Sequence, residues 1–118
     1  MIIGVRHGER ANKSKIQSEI DKIEKRYDVH LTDKGSEQGS TSGKVLKELI
    51  GDKKAIIICS PFLRTIQTAV QAAQHLNVYN NTIYLQNEVG EILIDEDFEC
   101  NPFPNIHLNT GGFSKIKE

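Results

Sequence analysis

Hydrophobic and polar positions follow two different periods along this chain. Three short runs are almost wholly apolar: Met1 to Val5, Ala55 to Cys59 (AIIIC) and Thr82 to Leu85. These predict strands over 2–5, 55–59 and 82–85, AIIIC being covered on both faces. Between them the period lengthens. Ile16, Ile20, Ile23 and Tyr27 stand four, three and four residues apart, which predicts a helix over 14–26. Its outer face would hold Lys15, Glu19, Asp21, Lys22, Glu24 and Lys25. Thr32 is suited to an N-cap, and a second helix follows over 33–50, stopped by Gly51. Gly35, Gly39 and Gly43 recur every four residues on it. Each glycine costs about 1 kcal/mol against alanine in a helix, so the stripe implies close packing of this helix on a sheet. Ile66, Ala69, Val70, Ala73 and Leu76 predict a third helix over 65–76. Alternating strands and helices imply a parallel α/β sheet with right-handed crossovers. From Phe98 the periodicity is lost, and Pro102, Pro104, Gly111 and Gly112 mark an irregular tail.

Composition narrows the class without naming a task. At 118 residues the chain is one domain or part of one. A net charge of -1 gives no general reason to bind nucleic acid or a membrane surface. Cys59 and Cys100 are too few for a disulfide framework, and Cys59 sits in an apolar run. A cytoplasmic or other reducing intracellular compartment is expected. The cations are more informative: 11 are lysines and only four are arginines, namely Arg6, Arg10, Arg26 and Arg64. An arginine in a lysine-rich chain points to placement for its planar fork, which suits phosphate oxygens.

Ligand chemistry in parallel sheets collects beyond the carboxyl ends of the strands. Three segments are expected there: RHGER (6–10), SPFLRT (60–65) and NEVGE (87–91). Together they supply Arg6, His7, Arg10, Arg64 and one of the two glutamates, Glu88 or Glu91. Guanidinium donors suit the oxygens of a phosphoryl group. A neutral histidine can serve as nucleophile, and a carboxylic acid can protonate the leaving oxygen. Gly8 opens room for backbone approach, and the helix end at Thr65 is expected to add backbone N–H donors.

These segments resemble the histidine phosphatase, or phosphoglycerate mutase-like, superfamily over residues 2 to about 91. RHGER resembles the family's RHG signature in the form seen in eukaryotic phosphatase members. LTDKGSEQGSTSGKVL resembles its LT-x-x-G-x-x-Q-A-x-x-x-G-x-x-L helix, with Gly39 at the usual alanine. SPFLRTIQTA resembles its S-P-x-x-R-x-x-Q-T-A segment. The resemblance implies a three-layer α/β/α fold with a parallel sheet and a phosphohistidine mechanism. His7 would take the phosphoryl group, and Arg6, Arg10 and Arg64 would hold it. Glu88 would be the acid, with Glu91 the alternative. Neither a metal nor another cofactor is implied.

The chain also departs from the family pattern. No second histidine is followed by glycine, as the family's later catalytic histidine usually is. His30 reads as a surface or pocket-rim residue and His75 as a solvated one, leaving His107 as the only late candidate. The pattern reads as a partial domain over 1–95, cut after its third strand, followed by an irregular tail over 96–118. Such a sheet would leave Ile2, Ile3, Ile56, Ile57 and Ile58 incompletely covered. A protein partner or second copy is therefore expected on it. Three functions follow. The first is a phosphomonoesterase acting on a phosphorylated small molecule or phosphoprotein, weak or inactive as an isolated chain. The second is a catalytically degenerate structural or binding subunit. The third is a phosphate sensor.

Overall fold

Thr32 does what its position suggests: its hydroxyl accepts a hydrogen bond from Gly35 N at 2.9 Å. The helix it caps, α2 (Asp33–Ile50), ends at Gly51, where φ is 61° and a side chain would be strained. The computed structural model describes residues 1–24, 28–86 and 115–117. A short 3-10 helix (Ala11–Lys13) and α1 (Gln17–Asp21) precede α2. After it come β1 (Lys54–Cys59), α3 (Leu63–Ala73), β2 (Asn77–Leu85) and β3 (Lys115–Lys117). The sheet is parallel throughout, in the order β1-β2-β3. The fold is therefore α/β, and α3 is the crossover between β1 and β2.

The core lies between that crossover helix and the sheet. Ile66, Val70 and Ala73 of α3 pack on Cys59 of β1 and on Ile83 and Leu85 of β2, with Ile57, Ala69 and Val78 at the margin. Ile66 and Ile83 are completely buried. Each such side chain contributes about 1.5–3 kcal/mol. This is the inward face read from the period of the third helix.

The glycine stripe faces backbone, but not the sheet. A Cβ on Gly39 would lie 3.0 Å from Gln71 Cβ, and one on Gly43 would come within 2.7 Å of Ala72 Cα. One on Gly35 would strike the backbone of Glu9. The stripe thus seats α2 on α3 and on the loop at residues 8–9. The inference of a helix lying close on a sheet is corrected accordingly.

Other sequence expectations are also revised. Residues 1–9 form neither helix nor strand. Ile2 is fully exposed, so the strand expected over 2–5 does not form. An apolar run becomes a strand only when a neighbour pairs with its backbone, and among the described residues none does. AIIIC is covered on one face: Ile56 and Ile58 are 65% and 58% exposed. The helix expected over 14–26 is reduced to Gln17–Asp21; residues 25–27 lie outside the described residues. Ile16 is exposed and Glu19 is buried, the reverse of the predicted faces. A helix this short takes its orientation from its surroundings rather than its period. The tail read as irregular contains β3, paired to β2 over Thr82–Tyr84.

β2 is longer than expected because it is interrupted. Ala55 pairs with Val78 and Ile57 with Ile83. Two steps along β1 thus match five along β2, leaving three extra residues. Asn80 and Asn81 absorb them in left-handed conformation, with φ of 54° and 48°. Asparagine tolerates that region better than most side chains. Thr82 Oγ1 donates to Asn80 O at 2.8 Å across the bend.

Gly43→Ala tests the helix contact. Alanine gains about 1 kcal/mol in propensity, but pressing a methyl into the Ala72 backbone costs about 1–3 kcal/mol. A net loss is expected in urea denaturation, whereas Thr41→Ala on the exposed side should be neutral or stabilising. Cys59 provides a second test. Burial pushes its thiol from 9.0 up to about 12. Between those values the unfolded chain releases a proton that the folded chain keeps, so stability falls as pH rises through that window. The urea midpoint should decline more steeply above about pH 9 in wild type than in Cys59→Ala. Parallel declines would refute this.

Candidate functional site

The RHGER loop is held by backbone bonds rather than by a strand. Ala11 N donates to His30 O at 2.9 Å and Thr32 N to Glu9 O at 3.0 Å, with Arg10 and Leu31 forming an antiparallel bridge. Leu31 N donates to Gln67 Oε1 at 2.7 Å, tying this pairing to α3. Gly8 lies against Gly35: a Cβ on Gly8 would fall within 2.8 Å of Gly35 Cα. The RHG glycine and the first glycine of α2 therefore require each other. Gly8 N donates to Thr68 Oγ1 at 3.1 Å, and Thr68 Oγ1 donates to Arg64 O at 2.7 Å. One buried hydroxyl joins the loop to α3.

Glu9 is drawn toward α2. Its Oε1 accepts from Thr32 Oγ1 at 3.0 Å, and its Oε2 lies 3.7 Å from Lys34 Nζ. Its backbone N–H donates to Gln38 Oε1 at 2.8 Å. Beside this loop is an open cavity of about 520 Å³ lined by Arg6, His7, Gly8, Glu9, Arg10, Lys13, Gln38 and Ser42. Among the described residues the lining carries three cationic side chains and one carboxylate already engaged. It is suited to an anion.

His7 is half-buried, and its Nδ1 lies 2.7 Å from Gly8 O. A carbonyl oxygen can only accept, so Nδ1 carries the proton and donates it. In the neutral ring that leaves Nε2 with the lone pair. A phosphoryl acceptor needs a nitrogen in that state.

Arg6, His7 and Arg10 are thus brought to one cavity, and Arg64 does not line it. Arg64 is buried at 3% exposure, its guanidinium 4.4 Å from the Phe62 ring centroid. It reaches the loop through its carbonyl and Thr68. Glu88, Glu91 and His107 lie outside the described residues. The start of α3 offers less to an anion than the sequence implied. Leu63 N is taken by Asp28 Oδ1 at 2.7 Å, and Thr65 N and Ile66 N bond to Phe62 O. The buried Asp28 carboxylate therefore occupies the favourable end of that helix. His75 is also not merely solvated, because its Nε2 pairs with Ser40 Oγ at 2.8 Å. His30 serves through its carbonyl and does not line the cavity.

Lys13, Gln38, Ser42 and Thr68 were not singled out from sequence. A signal was available for two of them. Gln38 and Ser42 follow Gly35 by three and seven residues, which puts them on the same side of α2.

Thr68→Val removes the oxygen that Gly8 N needs. A buried N–H left unpaired costs about 1–3 kcal/mol, and that loss is expected in urea unfolding. Thr68→Ser, which keeps the oxygen, should retain most of the stability. A small loss in Thr68→Val beside a large one in Thr68→Ser would mean that packing of the methyl group, rather than the bond, holds the loop.

A family model described as Histidine phosphatase superfamily (branch 1) matches residues 2–99. No curated protein sequence matches the chain.

Proposed function

Since the chain belongs to the histidine phosphatase superfamily, we propose that it is a phosphomonoester hydrolase working through a phosphohistidine on His7. The observation that carries this reading is the bond from His7 Nδ1 to Gly8 O, in a cavity shared with Arg6 and Arg10. It leaves Nε2 free to attack phosphorus. As the Nε2–P bond forms, the bond from phosphorus to the ester oxygen breaks, and that oxygen takes a proton from Glu88 (Glu91 being the alternative). Water then attacks the phosphohistidine and returns a proton to the glutamate; inorganic phosphate leaves. Arg6 and Arg10 hold the equatorial oxygens. Arg64 contributes from beneath, through the Thr68 bonds that hold the loop. The RHGER spelling, with Arg10 in the cavity, supports a place among the RHGER-type phosphatases.

Turnover by these 118 residues alone is weak in this reading. No histidine after His7 carries the family's following glycine, and loss of one preorganised donor costs about 100- to 1,000-fold in rate. A second reading, a degenerate binding or structural subunit, draws on the exposed Ile2, Ile56 and Ile58. In that reading a partner protein or second copy covers this apolar surface.

Incubation with an aryl phosphate labelled at phosphorus, quenched in alkali so that an N–P bond survives, separates the two. Label held on His7, lost in His7→Ala, is expected, with turnover below about 1 per second. Absence of label from wild type, with hydrolysis equal to that of His7→Ala, would favour the degenerate subunit.

A further inference from the structure

The cavity has two unlike walls. The loop wall carries Arg6, Arg10 and Lys13 and is cationic; the α2 wall carries Gln38 and Ser42, one helical turn apart and uncharged. Bonds already present determine what each of these two can offer. Gln38 Oε1 accepts from Glu9 N at 2.8 Å. A backbone N–H can pair only with the oxygen of the amide, so the Gln38 NH₂ group remains as a donor. Ser42 Oγ gives its hydrogen to Gln38 O at 2.9 Å, so its lone pairs remain as acceptors. The α2 wall thus presents a donor and an acceptor side by side. A hydroxyl group, which both gives and takes a hydrogen bond, is their complement.

The rest of the lining points the same way. Among the described residues, the His7 ring is the one aromatic group at the cavity and no wholly aliphatic side chain borders it, so the described lining favours a hydroxylated group over an aryl one. The volume of about 520 Å³ falls in the range of pockets that enclose a whole small molecule. A phosphoryl group on the cationic wall would leave the remainder of its ester against α2.

We propose that Gln38 and Ser42 recognise the leaving-group half of the substrate, and that this half is polyhydroxylated: a sugar or polyol phosphate. The proposal rests on the phosphomonoester reading above and adds the class of alcohol released. Gln38 and Ser42 act as specificity determinants that touch the alcohol, while His7 and the arginines handle phosphorus.

The test compares binding of inorganic phosphate, sorbitol 6-phosphate and phenyl phosphate by calorimetry. In wild type, sorbitol 6-phosphate should bind at least about tenfold more tightly than inorganic phosphate, and phenyl phosphate no more tightly than phosphate. Ser42→Ala should weaken sorbitol 6-phosphate by about fivefold, a typical hydrogen bond, with a smaller effect on inorganic phosphate. Gln38→Glu keeps an oxygen for Glu9 N while removing the donor, and should weaken sorbitol 6-phosphate alike. If phosphate binds but sorbitol 6-phosphate binds no better, the proposal fails and the phosphoryl site stands. Equal losses for all three ligands in Ser42→Ala would assign Ser42 a structural role and also defeat it. A wild type that binds none of the three defeats both this proposal and the reading beneath it.

Discussion

The approach of Gly8 to Gly35 is the contact on which the rest of this structure depends. Neither residue has room for a methyl group, because each meets the other's backbone or the adjacent peptide. The contact fixes the RHG turn against the first turn of α2. From there Gly39 and Gly43 carry the helix along α3, and α3 lies on the sheet. The position of the histidine is thus linked to the core by a chain of backbone surfaces. Side-chain packing can relax when one methyl is lost or gained; backbone against backbone has little to yield. The glycines' propensity cost in α2 is offset by this precision of placement.

Polar bonds complete what the glycines begin. Thr32 caps α2 through its hydroxyl oxygen and gives its hydrogen to Glu9. Thr68 receives the Gly8 N–H and passes its own hydrogen to α3. Each hydroxyl uses both of its capacities, joining the loop to a different helix. The carboxylate of Glu9 is thereby held by Thr32 and Lys34. Asp28 has the parallel task at α3, where it satisfies Leu63 N.

Legibility in the sequence tracked how local each determinant was. α2 was readable to its ends because its cap, its glycine stop and its period all lie within the segment. β1 and the buried face of α3 were readable because burial leaves a repeat in the residues themselves. Met1 to Val5 has the composition of a strand, but composition cannot supply a partner for its backbone. The period at Ile16, Ile20 and Ile23 failed for a related reason: five helical residues do not determine which face is buried. At the site, adjacency in RHGER puts Arg6, His7 and Arg10 on one cavity. The depth of Arg64 and the use of the α3 N-terminus by Asp28 depend on segments far apart in sequence, so no short motif could show them. Gln38 stood in plain view within a recognised motif; its part in the cavity emerged only when its oxygen was seen to be engaged.

The bend at Asn80 and Asn81 has a consequence for how the chain tolerates changes in length. On either side of it β2 pairs with β1 in one continuous register once three residues are set aside. Joining Val78 directly to Thr82 would therefore heal the ladder without shifting Ile83, Tyr84 or Leu85 against Ile57, Ile58 and Cys59. In geometric terms Tyr79, Asn80 and Asn81 are an insertion. A chain three residues shorter here would still deliver the end of β2 to the same place, so this point inside the strand is where a change of length costs the sheet least.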